Sequence, residues 1–362
     1  MREETFIPKE NFNKDQFFEF VLVGDIGGTN CRLAIFGKSR ETALIFSFVY
    51  ESKYINNLWD PINEILREAK SRYDIEVKDC CLGCAGPVSS NRDFCQFTNL
   101  SWSVDSHEIL KNTLLNSVSL INDFEATGYG IHLLKNHQLF LLPHPKSNPS
   151  SQKGATKAVI GAGTGLGKAI LIFDKQKQTY YPVPSEGGHG DFHITEEIEI
   201  ELVRWWKRKN ETDFHPDYEE FLSGKGLVNI YNFLRAIHLD KSNRYSQEID
   251  IAEDKAAAIA EHVINDRTCK RAMEMFLKIY CKAARNFALD TLSLGGLYIA
   301  GGIVPKILNY IKQSKFMNEF ERNLHQGKIL EQIPVYVVIE EKIGLYGAAN
   351  VALNFKELGI KR

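Results

Sequence analysis

Residues Val21-Leu22-Val23-Gly24-Asp25-Ile26-Gly27-Gly28-Thr29-Asn30-Cys31-Arg32-Leu33-Ala34-Ile35-Phe36 read as an apolar strand, a turn of small and polar residues, and a second strand of alternating character. Adjacent glycines accept positive φ and put no Cβ between backbone and ligand, so several N–H groups of such a turn can converge on one anion. Thr29 and Asn30 add side-chain donors, and Asp25 supplies a carboxylate where a phosphate-bound metal can be met through water. The same residues also suit an ordinary hairpin whose glycines only make the turn.

The pattern returns at Ala158-Val159-Ile160-Gly161-Ala162-Gly163-Thr164-Gly165-Leu166-Gly167-Lys168-Ala169-Ile170-Leu171-Ile172-Phe173. Two phosphate-type hairpins, one near the start of each half, imply two related domains facing a shared nucleotide. Neither is a P-loop. Ala162 stands where the first glycine is required, and Ala169 replaces the Ser or Thr that binds magnesium. The dinucleotide fingerprint fails as well, because a strand follows the turn where a helix is needed.

The chain has 362 residues, of which 44% are hydrophobic, enough for a large core and at this length for two domains. A net charge of -2 offers no basic field for nucleic acid or an anionic membrane surface. No apolar run approaches bilayer length, and Met1-Arg2-Glu3-Glu4 lacks the regions of a secretion signal, so the expectation is a soluble intracellular protein. Seven cysteines fit free thiols in a reducing compartment. Cys80-Cys81-Leu82-Gly83-Cys84 contains a C-x-x-C, but strand periodicity puts Cys80, Leu82 and Cys84 on one face and Cys81 on the other. No second pair completes a metal site, and the cluster reads as small buried hydrophobes.

Residues 1–20 form a polar extension with scattered aromatics, suited to packing loosely or to capping an edge. Strands are expected at Ala43–Tyr50, Cys80–Ala85, Ser117–Ile121 and Val335–Ile339, and helices at Pro61–Arg72, Phe124–Leu134, Thr195–Lys209 and Gly344–Leu353, with two long helical segments between Ile251 and Leu292. Asn122-Asp123 fall at a strand's carboxyl end and a helix start. Open α/β sheets bind ligands there, and either residue also makes a helix cap. Pro184 to His193 is a glycine-rich loop with Glu186, His189 and His193. Its glycines do not align metal ligands as a helix would, so hydrogen bonding to a polyol fits better than zinc. Ser223 is a candidate cap, and Ala300-Gly301-Gly302-Ile303-Val304-Pro305 joins a buried strand to a helix through a turn that a ligand can approach.

Together, Asp25–Asn30, Ile121–Phe124, Gly161–Gly167, Glu186–His189, Leu222–Gly224 and Ile299–Pro305 resemble the bacterial-type glucokinases of the actin, hexokinase and Hsp70 ATPase superfamily, in family order from about Val21 to Leu353. The resemblance implies a two-domain α/β, actin-like (ribonuclease H-like) fold with an active-site cleft between the domains. A small domain would comprise residues 21–133 and 341–362, and a large one 134–340. It also implies phosphorylation of glucose at its 6-hydroxyl by ATP with Mg2+, in a cytoplasmic homodimer that binds neither nucleic acid nor membrane. Asp123 then matches the general base, and Asn99, Asn122, Glu186, His189 and Glu219 match sugar-binding positions. Asp25, Gly27, Gly28, Thr29, Asn30, Gly163, Thr164, Gly165, Ser223, Gly224, Gly301 and Gly302 match nucleotide-side positions, with Asp25 reaching the metal only through water. The extension and a longer connection over residues 207–217 depart from the pattern. A kinase for another hexose or donor, and a non-catalytic sugar sensor or actin-like protein, are the alternatives that the residues leave open.

Overall fold

The computed structural model describes residues 1–97, 102–238, 243–358 and 360. Its strands are β1 (Arg2–Thr5), β2 (Glu19–Ile26), β3 (Asn30–Lys38), β4 (Thr42–Glu51), β5 (Asp79–Cys84), β6 (Phe94–Gln96), β7 (Ser103–Asp105), β8 (Ser117–Asn122), β9 (Leu139–Leu141), β10 (Lys157–Ala162), β11 (Leu166–Asp174), β12 (Thr179–Ser185), β13 (Leu297–Ala300) and β14 (Val335–Val338). The helices are α1 (Trp59–Tyr73), α2 (Ser106–Asn112), α3 (Asp123–Ile131), α4 (Glu197–Lys209), α5 (Gly224–His238), α6 (Arg244–Ile251), α7 (Lys255–Glu261), α8 (Arg267–Thr291), α9 (Val304–Gln313), α10 (Phe316–Glu321), α11 (Gly327–Leu330), α12 (Ile343–Leu353) and α13 (Phe355–Leu358). The chain divides into one compact unit of Met1–Lys135, Leu171–Pro184 and Lys342–Arg362, and another of Asn136–Ile170 and Ser185–Glu341.

In the first unit a six-stranded sheet runs β1-β4-β3-β2-β5-β8. The β2–β3–β4 ribbons are antiparallel, whereas β2, β5 and β8 are parallel neighbours, with Ile26, Cys84 and Asn122 in register at one edge. Strand alternation sorts the side chains as the sequence predicts. Cys80, Leu82 and Cys84 pack with Ile62 and Ile65 of α1, while Cys81 joins Ile121, Ala126 and Ala348 on the other face. All seven cysteines are buried thiols outside any disulfide. The amino-terminal extension is part of this unit: β1 pairs with β4 from Arg2↔Val49 to Thr5↔Phe46, and Phe17 lies on the bare backbone of Gly37.

Helix α12 packs on α3 at close range because small residues meet there. A Cβ on Gly347 would lie 1.7 Å from the Ala126 carbonyl oxygen, and one on Gly130 would lie 2.4 Å from that of Ile343. Helix α3 ends at Ile131, short of the expected Leu134, where the Leu133 N–H turns back to the Gly130 carbonyl.

The second sheet has the order β12-β11-β10-β13-β14-β9, in which β10, β13 and β14 are parallel. Its core is built on α8, whose Phe276, Tyr280, Ala283 and Ala284 are buried. The expectation of two long helices between Ile251 and Leu292 is corrected to a seven-residue α7 and a 25-residue α8. The chain stops α7 with a 3-10 turn at His262–Ile264 and restarts at Asp266, whose carboxylate accepts the Cys269 N–H at 2.8 Å. A cap of that kind opens a new helix.

Candidate active site

The β2–β3 turn is closed by its own backbone. The Gly27 N–H donates to the Asn30 carbonyl at 2.9 Å, and Ser52 braces the turn from outside, its hydroxyl donating to the Gly27 carbonyl at 2.7 Å and its N–H to the Thr29 carbonyl at 2.9 Å. Thr29 and Asn30 are left exposed. Asp25 lies directly across from Arg32 on β3. Burial pushes its carboxyl above the usual value and Arg32 opposes that shift, while Arg32 Nε is itself buried without a hydrogen-bond partner. A single carboxylate facing a guanidinium suits a contact to a cation through water better than a direct ligand set.

Two strands away, Asn122 ends β8 and caps α3. Its Oδ1 accepts the Phe124 N–H at 2.9 Å and the Glu125 N–H at 3.2 Å, and its Nδ2 donates to the Gly86 carbonyl at 3.3 Å. Asp123 is the first helical residue, with Oδ1 2.9 Å from the Phe124 nitrogen. Register places Asn122-Asp123 and the Gly27–Asn30 turn at the same sheet edge. The bare backbone of Gly83 eases this packing, since a Cβ there would sit tightly against Ala126 Cβ at 3.3 Å and in ordinary contact with Asp123 Cα at 3.9 Å. The base of α3 is clamped by a second pair invisible in the sequence: Arg92 holds Glu125 through two hydrogen bonds of 3.1 and 2.7 Å, and both are buried or nearly so. The Arg92 carbonyl accepts the Leu120 N–H. Asn99 lies outside the described residues.

In the second unit the β10–β11 turn, the start of α5 and the turn after β13 come together. The Gly163 N–H donates to the Gly165 carbonyl at 2.8 Å, and the Gly224 N–H donates to the Gly163 carbonyl at 2.9 Å. Ser223 caps α5 by accepting the Gly226 N–H at 3.0 Å. Gly301 sits at φ 93°, and a Cβ there would lie 2.4 Å from the Ala162 carbonyl oxygen, so glycine is required by conformation and by space. Thr164 and Gly302 remain exposed beside this cluster. Backbone N–H groups at a fifteen-residue helix start next to an open glycine turn are chemically suited to phosphate.

The Glu186–His189 loop is a 3-10 turn stitched to residues 217–220. The Glu219 N–H donates to the Gly188 carbonyl at 3.2 Å, and the Tyr218 N–H to that of Gly190 at 3.0 Å. Glu219 also accepts the Leu166 N–H at 2.8 Å, joining this loop to the second glycine turn. Below it, Lys168 is buried with its amine on the Gly187 carbonyl at 2.8 Å and over the rings of Tyr218 and Phe287, each 5.3 Å away. Burial holds that amine below its ordinary value. His189 Nδ1 lies 2.9 Å from Asp217 Oδ2, and this hydrogen bond raises the imidazole above its usual value against the cost of burial. Asp217, Lys168, Arg92 and Glu125 carry no local signature, because each works through a partner that the fold brings to it.

A sequence profile described as Glucokinase matches residues 22–355. The chain belongs to the glucokinase family. The glucokinase of Nostoc sp. is 36% identical over 344 residues, covering 91% of this chain and 97% of that one. Among solved structures, glucokinase from Balamuthia mandrillaris in complex with glucose superposes with a TM-score of 0.77 at 21% identity, covering 92% of this chain and 94% of that one. A ROK family glucokinase from Streptomyces griseus in complex with glucose and AMPPNP gives a TM-score of 0.65 at 17% identity, covering 92% and 99%. The glucokinase-family fold is thus the α/β, actin-like ATPase fold, and among the described residues no helix is long and apolar enough to cross a membrane.

Proposed function

We propose that this glucokinase-family chain transfers the γ-phosphoryl group of ATP to the 6-hydroxyl of glucose, with Asp123 as general base. The observation that carries the reading is the fixed direction of Asp123 at the end of β8, set by the Asn122 cap at the same sheet edge as the Gly27–Asn30 turn. A hydroxyl is a weak nucleophile, and phosphoryl transfer gains most from alignment and charge neutralisation. Asp123 accepts the O6 proton as oxygen bonds to the γ-phosphorus, and the bond from that phosphorus to the β,γ-bridging oxygen breaks to release ADP. Gly27–Asn30 and Gly163–Gly165 with the α5 start donate to phosphate oxygens, and Gly301-Gly302 admit the adenosine. Mg2+ bound with the nucleotide would supply charge neutralisation, and Asp25 would be the residue that meets it through water.

Asn99, Asn122, Glu186, His189 and Glu219 recognise the sugar hydroxyls in this reading. It is supported by the glucose bound in the Balamuthia relative and the glucose and AMPPNP bound in the Streptomyces one. The reading extends to the first step of glycolysis, carried out in the cytoplasm by a homodimer. The test is a coupled assay of sugar 6-phosphate formation with ATP and Mg2+, run on wild type and Asp123→Asn over glucose, mannose, fructose, galactose and N-acetylglucosamine. Glucose-selective turnover that falls by about 10²–10⁴ in the variant, with glucose binding kept, is the expected outcome. Turnover selective for another sugar changes the substrate, and ATP binding without phosphorylation of any sugar overturns the reading.

A further inference from the structure

We propose that Asp217 is a positioning residue that fixes the His189 ring with its proton on Nδ1, so that Nε2 faces the substrate as a hydrogen-bond acceptor for one sugar hydroxyl. The inference rests on the reading of the Glu186–His189 turn as a sugar site.

The geometry uses both carboxylate oxygens of Asp217. Oδ2 lies 2.9 Å from His189 Nδ1, and Oδ1 accepts the Glu220 N–H at 3.1 Å. Asp217 is thereby tied to its own turn and cannot swing to follow the imidazole. Its backbone is held too: Asp217 bridges Asp191, the Phe192 N–H donates to the Pro216 carbonyl, and the Tyr218 N–H donates to the Gly190 carbonyl. The His189 side chain is half exposed while Asp217 is more enclosed, so the carboxylate sits behind the ring and the far edge of the imidazole is open.

An ionised carboxylate only accepts hydrogen bonds, so a neutral imidazole against it carries its hydrogen on Nδ1 and leaves the Nε2 lone pair outward. That lone pair accepts from a hydroxyl and rejects a group that can only accept. When the ring takes a second proton, Nε2 becomes a donor and the selection reverses. The charged groups acting on the ring are the carboxylates of Asp217 and Glu219 from the adjoining segment and Glu186 from its own turn. Lys168 on β11 reaches the same turn at the Gly187 carbonyl. The three carboxylates favour the imidazolium, Asp217 foremost, so the acceptor form is present only above a pH that Asp217 itself helps to set.

The experiment combines 15N NMR of histidine-labelled protein, with His189→Gln assigning the resonance, and the pH dependence of the glucose KM for wild type, Asp217→Asn and Asp217→Ala. Asparagine keeps one acceptor oxygen, which serves the Nδ1 proton when its amide turns that oxygen to the ring, but it loses the charge and the second oxygen that takes the Glu220 N–H. Expected are an Nδ1-protonated His189 at high pH in wild type and Asp217→Asn, with the acid limb of the Asp217→Asn profile roughly one pH unit lower. Asp217→Ala releases the tautomer and raises the glucose KM roughly tenfold, with kcat within about threefold of wild type. A wild-type ring protonated on Nε2, an Asp217→Ala enzyme with unchanged KM, or Asp217→Asn as impaired as Asp217→Ala at every pH overturns the proposal. Absence of any sugar phosphorylation by the wild type strikes the kinase reading instead, and the NMR result then decides the Asp217–His189 assignment by itself.

Discussion

The Glu219 carboxylate accepts the backbone N–H of Leu166 at 2.8 Å, while the Glu219 N–H bonds the Gly188 carbonyl, so one residue spans the glycine turn before β11 and the Glu186–His189 turn of the second unit. Glu219→Gln keeps an acceptor for Leu166 and is expected to raise only the glucose KM. Glu219→Ala removes the acceptor and is expected to raise the KM for both glucose and MgATP, each roughly tenfold. Gly165→Ala is expected to resemble the alanine variant, because its Cβ would lie 2.3 Å from Glu219 Oε2. Initial-rate kinetics with either substrate varied separate these outcomes. An alanine variant that affects glucose alone would sink the bridging role.

Asn122 caps α3 directly before the proposed base. Asn122→Ala is expected to lower stability by about 1 kcal/mol through the lost cap and to lower kcat as well, since α3 then no longer fixes Asp123. Asn122→Ser retains a capping oxygen and is expected to recover most of the stability. Urea unfolding and turnover on the same samples check both halves.

The Lys168 amine gives a pH signature. Burial holds its folded-state value below that of the unfolded chain, for which 10.5 is the ordinary figure. Between those two values the unfolded state binds more protons, so this group makes stability rise with pH through that window, and below it the cost of a buried cation is carried in full. Lys168→Met removes the contribution. Its stability relative to wild type is expected to be highest at neutral pH and to decline toward pH 10.5, measured by denaturant titration at each pH. A difference independent of pH would refute the assignment. The glucose KM of the variant is expected to rise because the Gly187 carbonyl loses its donor.

Gly347→Ala is expected to destabilise by about 3 kcal/mol or more, because its Cβ would fall on the Ala126 backbone oxygen in the α12–α3 contact. Gly344, in the same helix, has nothing within 4 Å of its Cβ position, and Gly344→Ala is expected to gain about 0.5 kcal/mol. Thermal or denaturant unfolding of the pair tests the packing directly.

Local chemistry carried far in this chain. Both glycine hairpins, the Asn122 cap, the Ser223 cap and the split of Cys80 and Cys81 between two faces follow from period, capping and turn residues over a few positions. The strand formed by Arg2–Thr5 was not legible, because its partner β4 decides it rather than its own charged residues. That two helices lie between Ile251 and Leu292 was legible, but not that α7 has only seven residues, because its length is set by the 3-10 turn that follows it. At the candidate site, the resemblance singled out Glu186, His189 and Glu219, but not that Asp217 lies against the His189 ring or that Glu219 reaches Leu166. Those are contacts of folded backbone, with no period to betray them.

The seven buried thiols have a practical corollary. Burial pushes the pKa of the thiols on β3, β5 and α8 up, away from the thiolate, the species that reacts with maleimides and oxidants. A single cysteine placed at exposed Lys175 on the β11–β12 loop would therefore take a fluorophore or spin label over a silent native background. The signal of that one label can then be followed spectroscopically with every native cysteine left in place.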